Sequence, residues 1–472
     1  MAAKIYYYDI GDYLTREEKL KKIKDAGSIT HLPMEEIVPN EHGDWINQRN
    51  ENFGKWIPIE PEKKFDSRCK SWFVTNAVGV SSGRDAWVYG FGKDAVTKNM
   101  QRMVKFYNGE IGKGDPSQDA AKISWTVNLK RDLERGTKHK FKNEMFVEGV
   151  YRPFCKQCLY YDRDFVERPG LWSQIFPDKD TQNLAICVSG VGASKAYTAL
   201  IADKIPCYDL TEKSQCFPLY YYEEADSGDM FASDEPYVRR DAVSDYILKQ
   251  ARTQYGNAKI TKEDLFYYVY GFLHSPEYRT AFAADLKKML PRIPLVESAA
   301  DFRAFVKAGR ALADLHLNYE KAKPCAEVRV VSSASASADL PIFSMAAQEE
   351  EIFSSEPAET LYRVTKMRFA KSGKGGGKSA DDKSRIVYNE KLTVAGVPLE
   401  AYDYVVNGKS AIEWIMERYA VTVDKDSGIK NDPNDWAKEH GDSKYIFNLL
   451  LRVITVSLET VKIVKSLPKL KF

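Results

Sequence analysis

The stretch TKEDLFYYVYGFLHSPEYRTAFAADLKKML, residues 261–290, predicts two consecutive helices at the centre of the chain. Thr261 and Asp264 have the spacing of an N-cap residue and its partner at the third helical position, directly ahead of LFYYVYGFL. Ser275 supplies a second N-cap, and Pro276 stands at the first helical position, where its missing amide hydrogen costs nothing. We therefore expect two packed helices inside a helical segment that spans residues 236–316.

The residues before this segment are rich in strand-forming runs. These runs contain many β-branched and aromatic residues and are interrupted by Gly, Asp and Pro, which is the pattern of short strands in a mixed sheet. They are SWFVTNAV (71–78), AWVYGF (86–91), LAICVSG (184–190) and FPLYYYEE (217–224). Near the start, Thr15 and Glu18 form a capping-box pattern and predict a helix that ends near Gly27.

A change of composition follows the helical segment. The run SSASASADLPIFSMAAQEEE, residues 332–351, is small, polar and finally acidic, and predicts a linker over residues 332–359. Beyond it, ETLYRVTKMRFAK and SRIVYNEKLTVAGV predict a β-hairpin around a Gly/Lys-rich loop. Ser410 and Glu413 then cap a helix.

The apolar run at residues 445–467 includes four charged residues that a bilayer centre would penalise, so it predicts a buried C-terminal helix and no membrane partner. The fold class is therefore α+β: a mixed-sheet domain with inserted helices over residues 61–331, then the linker, then a β-hairpin and helices over residues 360–472. Residues 1–60 form a separate leading segment.

Charge and cysteine content limit the classes of protein. The 69 basic and 67 acidic residues leave a net charge of only +2, so a surface for nucleic acid would have to be a local patch. Seven cysteines without a spacing framework indicate a reducing, cytoplasmic location rather than secretion. The opening MAAKIYYYDI resembles the interior of a domain, so we expect the chain to be a fragment of a longer polypeptide.

Three patterns suggest catalytic or ligand chemistry, and each has a simpler interpretation. The run GVGAS, residues 190–194, follows a strand and could hold a nucleotide, but it lacks the third glycine of that fingerprint and is more typical of a structural turn. The loop KSGKGGGKS, residues 371–379, ends like a phosphate-binding loop, yet Ser372 occupies the position of its first glycine, and a strand follows instead of a helix. Cys155 and Cys158 have the spacing of half a zinc site without a second half, which favours two buried thiols. We predict no catalytic residue and no metal site.

Several motifs, taken in order along the chain, resemble the C-terminal target-recognition or specificity region of type ISP restriction-modification enzymes. Those enzymes join nuclease, translocase, adenine methyltransferase and recognition parts in a single chain. The motifs are YYYDIGDYLTREEKL, FVTNAVGVSSGRDAWVYGF, YRPFCKQCLYYD, SQCFPLYYY, DLFYYVYGFLHSPEYR, LADLHLNYE, KMRFAK and SGIKNDPNDW. One departure is Cys155, which stands where an acidic residue is expected after YRPF.

The resemblance implies a division of labour. The methyltransferase motif NPPY is absent here, and the nearest tetrapeptide, residues 431–434, lacks the aromatic that clamps a flipped base. The catalytic parts would lie upstream, with residues 1–60 as the connector that follows the methyltransferase. S-adenosylmethionine, ATP and Mg are expected for those upstream domains, and no cofactor is expected for this part.

Double-stranded DNA is then the expected partner, together with the upstream methyltransferase and translocase domains. Recognition needs cations on phosphates and side chains at base edges in the major groove. The candidates for phosphate are Lys371, Lys374, Lys378, Lys383 and Arg385. The candidates for bases lie in a Gly-flanked turn and are Ser81, Ser82 and Arg84, although Arg84 could instead form an ion pair with Asp85. Arg152 and Lys195 are further candidates on turns.

Two other classes remain open from the sequence. The chain could be a protein-interaction or coupling scaffold that does not bind DNA, which its near-zero net charge and 28 tyrosines would allow. It could also be a nucleotide-dependent enzyme that uses the GVGAS turn. Binding to random duplex DNA separates recognition from the scaffold, and stabilisation by ATP or S-adenosylmethionine tests the enzyme.

Overall fold

The computed structural model of the chain describes residues 3–11, 14–66, 68–225, 236–332, 357–372 and 380–472. Most of the predicted linker and of the predicted Gly/Lys-rich loop lie outside the described residues. The chain divides into two compact units, Met1–Lys55 and Trp56–Phe472.

The first unit consists of a helix and a small antiparallel sheet. Its elements are β1 (Ile5–Tyr7), α1 (Arg16–Ala26) and β2 (Glu35–Ile37). The prediction for α1 is confirmed, because Thr15 and Glu18 form both hydrogen bonds of a capping box and Gly27 ends the helix at a φ of 67°.

The first half of the second unit contains two four-stranded sheets. Its strands are β3 (Ile57–Pro58), β4 (Ala77–Val78), β5 (Tyr89–Gly90), β6 (Phe146–Arg152), β7 (Cys155–Tyr160), β8 (Ala185–Val188), β9 (Ala199–Ala202), β10 (Ile205–Pro206), β11 (Gln215–Pro218), β12 (Tyr220–Glu224) and β13 (Tyr237–Asp241). Its helices are α2 (Asp85–Val88), α3 (Lys93–Glu110), α4 (Val127–Glu134) and α5 (Trp172–Ile175). The sheet β10-β6-β7-β5 is mixed, because β10 runs parallel to β6, whereas β4-β11-β8-β9 is antiparallel. The prediction of an α+β fold with a mixed sheet is confirmed.

The helical segment follows as predicted. It contains α6 (Asp245–Tyr255), α7 (Lys262–Phe272), α8 (Pro276–Ala281), α9 (Asp285–Lys288), the short strand β14 (Arg292–Ile293) and α10 (Ala299–Leu317). Thr261 forms the predicted capping box with Asp264, and the side chain of Ser275 accepts the amide hydrogen of Tyr278 with Pro276 at the first position. The segment starts later than predicted, because residues 237–241 pair with β12 as strand β13.

The predicted β-hairpin is part of a larger sheet. Strands β15 (Arg329–Ser332), β16 (Arg368–Lys371), β17 (Asp381–Val387) and β18 (Leu392–Ala395) form an antiparallel sheet in the order β15-β18-β17-β16. Because β15 precedes the predicted linker and pairs with β18 beyond it, residues 332–359 do not separate two compact units.

The C-terminal part is helical and completes the core. After α11 (Ala358–Leu361) and the sheet come β19 (Val405–Val406), β20 (Lys409–Ser410), α12 (Ala411–Arg418), β21 (Thr422–Val423), β22 (Lys430–Asn431), α13 (Asn434–His440) and α14 (Tyr445–Lys465). The last helix is buried as predicted, with Leu449, Leu450 and Ile454 entirely covered. None of the helices in the described parts of the chain has the length and apolarity needed to cross a membrane. One hydrophobic cluster extends from Ala77 to Val461 through the second unit.

Candidate nucleic-acid interface

The turn that contains Ser82 and Arg84 is packed into the protein. Ser82 is 0% and Arg84 is 4% exposed. The guanidinium of Arg84 donates from Nη1 to the carbonyl oxygen of Phe165 (2.6 Å) and from Nη2 to Oγ1 of Thr126 (2.7 Å). Burial lowers the pKa of Arg84 to about 10. The structure thus buries two of the three residues of this turn that were predicted to contact bases, and a cation with these internal partners stabilises the fold.

The alternative for Arg84, an ion pair with Asp85, is also corrected. Asp85 instead accepts a short hydrogen bond from the hydroxyl of Ser82, whose oxygen accepts the amide hydrogen of Arg84 at 3.0 Å. These bonds fix the start of α2. Contact between this turn and a base stays a prediction.

A groove of about 630 Å³ runs beside this turn, and we call it the polar groove. Three segments that are distant in sequence line it: the turn with α2, the segment before α4, and the hairpin β21–β22. Its polar side chains include Ser81, Gln118, Lys130, Asp424 and Asp426. It therefore offers both hydrogen-bond donors and acceptors on an open surface, which is what reading base edges requires.

Arg152 is held at the side of α2. Its side chain is 14% exposed, and its Nη2 lies 3.9 Å from Asp85 Oδ2 and 3.6 Å from Asp209 Oδ2. Its guanidinium also lies 4.1 Å from the centre of the Tyr151 ring. These contacts leave Arg152 little freedom to reach outward. The geometry therefore favours a structural role, in which Arg152 holds α2 in place.

Lys195 is exposed and follows the GVGAS turn, which joins β8 to β9. The carboxylate of Glu212 accepts hydrogen bonds from Ser194 N (3.0 Å), Ser194 Oγ (2.8 Å) and Lys195 N (3.1 Å). A phosphate would need those same amides, and a strand follows the turn where a nucleotide site needs a helix. The geometry therefore contradicts the nucleotide-dependent alternative and supports the structural turn.

Three of the predicted phosphate-binding cations lie on the hairpin β16–β17. Lys371 pairs with Asp381 at 2.6 Å, and Lys383 pairs with Glu413 at 3.2 Å. Both are largely exposed, and Arg385 is half-buried on the same strand as Lys383. The other two candidates of this loop, Lys374 and Lys378, lie outside the described residues.

One face of the β15-β18-β17-β16 sheet is basic. Val330, Val394 and Ile386 are neighbours across three strands and face the core. Because side chains alternate along a strand, the adjacent row of Arg329, Ala395 and Arg385 lies on the opposite face. This row places one guanidinium group on each side of Ala395.

The basic face continues into a second groove of about 350 Å³, which we call the basic groove. Two residues of the sheet also line this groove, Arg368 and Val387, which are paired across β16 and β17. The residues that line it are Thr360, Arg363, Thr365, Lys366, Arg368, Val387, Asn389, Glu390 and Lys391. Four cations face one carboxylate in this set, and Arg363 reaches Asp432 at 2.9 Å.

The sequence alone does not predict the basic groove. The signal was the spacing of cations in YRVTKMR, where residues 363, 366 and 368 are basic. That spacing alone does not predict a groove, because only the pairing of β16 with β17 brings residues 360–368 next to residues 387–391.

Cys155 and Cys158 are free thiols on β7. Burial raises the pKa of each to about 12, so both are protonated near neutral pH. Zinc binds the thiolate, which makes this pair a poor start for a metal site. Among the described residues, no group of histidine, cysteine and acidic side chains could hold a metal ion.

The fold is a mixed α/β chain that presents cations and hydrogen-bonding groups on the open surfaces of its two grooves. A family model described as the Type ISP C-terminal specificity domain matches residues 71–449. The chain belongs to this family, and the resemblance inferred from its motifs is confirmed.

Solved structures are similar over almost the whole chain. The ATP-dependent Type ISP restriction-modification enzyme LlaBIII bound to DNA is 35% identical with a TM-score of 0.82, covering 99% of this chain and 28% of that one. A nuclease-deletion mutant of the Type ISP enzyme LlaGI in complex with a DNA substrate mimic is 35% identical with a TM-score of 0.79, covering 99% and 39%. The DrdV–DNA complex is 26% identical with a TM-score of 0.78, covering 99% and 44%.

The chain thus spans less than half the length of each of these proteins. A search of curated proteins found no match.

Proposed function

We propose that this chain recognises a DNA sequence for a Type ISP restriction-modification enzyme. The observation that carries this proposal is the family match over residues 71–449. The similarity to LlaBIII bound to DNA, over 99% of this chain, supports it further. Nearly all of the fold is therefore of a kind found in a DNA-bound enzyme.

The remaining activities of such an enzyme would belong to other parts of a longer polypeptide. In this proposal a methyltransferase part uses S-adenosylmethionine to methylate an adenine at N6, and a translocase part uses ATP and Mg. The chain itself supplies recognition, and those parts are its partners. The chain corresponds to 28% of LlaBIII, which leaves room in that enzyme for such parts.

The basic groove and the basic face of the sheet are suited to the phosphate backbone. Lys366 and Arg368 line the groove, and Arg329 extends the charged surface along the sheet. Cations grouped on one surface release condensed counterions when they neutralise phosphates, which provides affinity without sequence preference. The exposed Lys371 and Lys383 can extend this surface when DNA phosphates compete with their carboxylate partners.

The polar groove is suited to base edges. Carboxylates such as Asp424 and Asp426 accept hydrogen bonds from the exocyclic amino groups of cytosine or adenine, and the amide of Gln118 can both donate and accept. Ser81 lies on the same groove, whereas the buried Arg84 holds its wall in place. In this arrangement the groove provides specificity and the cations provide affinity.

Selection from a pool of duplexes with a randomised core tests the proposal. We expect the chain to retain duplexes and to enrich one sequence. Retention without enrichment would contradict recognition, and no retention at low salt would favour the scaffold alternative.

A matched pair of variants tests the polar groove in the same experiment. In Asp426→Asn an acceptor-only group gains a donor, so we expect a change of preferred base at one position with most of the affinity kept. Glu144→Gln makes the same chemical change at an exposed site away from the groove and should enrich the original sequence. If Asp426→Asn enriched the same DNA sequence as the wild type, Asp426 would not contact a base.

A further inference from the structure

A cavity of about 540 Å³ lies between the turn before β9, the α8–α9 region, the β19–β20 hairpin and α14. It is separate from both grooves and shares no residue with them. Its exposed lining residues include Lys287, Val405 and Gly408, which form a mouth open to solvent. Val461 and Val464 of α14 give it an apolar wall.

Three residues that line this cavity each have a buried polar atom without a hydrogen-bond partner among the described residues. These atoms are the hydroxyl oxygens of Tyr197 and Tyr404 and the Nε2 atom of His274. These residues are 9%, 7% and 2% exposed, respectively. Buried polar groups are satisfied in the great majority of cases, so three such groups around one cavity favour a ligand that supplies their partners.

The protonation state of His274 follows from its other ring nitrogen. Nδ1 lies 2.8 Å from the carbonyl oxygen of Tyr270, and only a protonated nitrogen can bond to a carbonyl. Burial lowers the pKa of His274, which keeps the ring neutral. Nε2 is therefore an acceptor and needs a donor from the ligand.

Arg279 adds a half-buried positive charge to the same wall. Its Nε donates to the carbonyl oxygen of Leu273 at 2.7 Å, and its guanidinium lies 5.9 Å from the centre of the Tyr197 ring. Across the described residues, no carboxylate forms an ion pair with Arg279. A half-buried cation without a carboxylate partner attracts negative charge, so an anion in the cavity would stabilise it.

The other charged residues of the lining are Lys287, Lys465 and Asp403. Lys465 is paired with Glu400 at 2.5 Å, and Asp403 is exposed at the surface. The cavity therefore carries an excess of positive charge, with Arg279 as its innermost cation.

We propose that this cavity binds a small organic phosphate monoester as its monoanion. The single negative charge matches Arg279, and the phosphoryl oxygens accept hydrogen bonds from the hydroxyls of Tyr197 and Tyr404. The one remaining P–OH group donates to Nε2 of His274. The organic part of the molecule lies against the valines of α14. A cavity of this size is within the range of small-molecule sites.

Titration calorimetry with phenyl phosphate at pH 6 tests the proposal on the full chain. A phosphate monoester retains a proton on part of its population at this pH, whereas phenyl sulfate has none to donate. Phenyl sulfate would therefore leave His274 unpaired, and we expect it to bind at least about tenfold more weakly. Equal affinity for the two esters, or no binding of phenyl phosphate, would overturn the proposal.

Two variants locate the site. Tyr404→Phe removes one hydroxyl and keeps the ring, so phenyl phosphate should bind at least about tenfold more weakly. Tyr319→Phe removes another buried hydroxyl without a partner, but outside the cavity, and should bind like the wild type. If Tyr404→Phe and Tyr197→Phe both bind phenyl phosphate normally, the ligand lies elsewhere. Displacement of phenyl phosphate by a duplex with hydroxyl ends would also overturn the proposal, since the cavity would then contact DNA.

Discussion

Arg84 is a buried cation that bridges two segments far from it in sequence. In Arg84→Met the carbonyl oxygen of Phe165 and the hydroxyl of Thr126 lose their donor at nearly constant side-chain volume. We expect the free energy of unfolding to fall by about 2–3 kcal/mol, measured by urea denaturation.

Arg135→Met is the control for this experiment. Arg135 is exposed at the end of α4, so its replacement should change stability by no more than about 0.5 kcal/mol. If Arg84→Met were as stable as the wild type and lost only sequence preference in DNA binding, the base contact first predicted for Arg84 would be correct instead.

His316 makes the stability of the chain depend on pH. Its Nδ1 lies 2.6 Å from the hydroxyl of Tyr270 and its Nε2 lies 3.0 Å from the hydroxyl of Thr460. Burial, and then the nearby Arg279, lower the pKa of His316 from 6.5 to about 3. Between these two values the unfolded state binds more protons than the folded state. The stability that neutral His316 contributes to the fold is therefore complete above pH 6.5 and is lost as the pH falls towards 3.

The expected size of this effect is about 2 kcal/mol between pH 7.5 and pH 5. Urea unfolding of the wild type and of His316→Gln at both pH values measures it. The difference in stability between the two proteins should shrink by that amount at pH 5, because glutamine does not titrate. A constant difference would mean that His316 titrates alike in the folded and unfolded states.

The helices α7 and α10 approach so closely that two glycines are required between them. A Cβ atom on Gly309 would lie 1.8 Å from the carbonyl oxygen of Tyr267, and one on Gly271 would lie 2.3 Å from that of Phe305. Alanine favours a helix over glycine by about 1 kcal/mol, yet here it would force the two backbones apart. We expect Gly271→Ala and Gly309→Ala each to lower the free energy of unfolding by about 3 kcal/mol in urea.

Gly109 provides the matched control, because it lies in α3 and a Cβ atom added to it would meet no atom within 4 Å apart from its chain neighbours and the backbone of its own helix. Gly109→Ala should raise the stability by about 0.5–1 kcal/mol. Stabilisation by all three alanines would show that α7 and α10 pack less tightly than the structure has them.

The elements of this fold differ in how far the sequence determines them. The starts of α7, α8 and α12 were predictable, because a cap depends on residues three positions apart. The burial of Arg84 was not, since its partners lie 42 and 81 positions away in the sequence. The basic groove was not predictable for the same reason, because strand pairing creates it from two segments that are separated in the sequence.

Strand β15 shows the same limit for domain boundaries. The prediction of a linker there rests on composition, and composition carries no information about strand pairing. The backbone of residues 329–332 pairs with β18, more than fifty residues further along. The composition of one segment cannot predict a sheet whose strands lie before and after that segment in the chain.

The charge of the whole molecule is nearly balanced, so the placement of its cations, rather than their number, should determine DNA affinity. Lys366 and Arg368 both line the basic groove, whereas Lys105 and Lys249 are exposed on α3 and α6. The double variants Lys366→Ala/Arg368→Ala and Lys105→Ala/Lys249→Ala lose the same net charge. Any difference between them must therefore come from position.

Fluorescence anisotropy of a labelled duplex across a range of salt concentrations measures that difference. Each lost phosphate contact reduces the slope of log K against log salt by about 0.9, so the groove variant should lose nearly 2 in slope and bind more weakly at low salt. The α3/α6 variant should keep the wild-type slope, because charges beyond about 10 Å from the DNA are screened. If both variants lost slope equally, DNA would be responding to overall charge. The basic groove would then not be the site that binds the phosphate backbone.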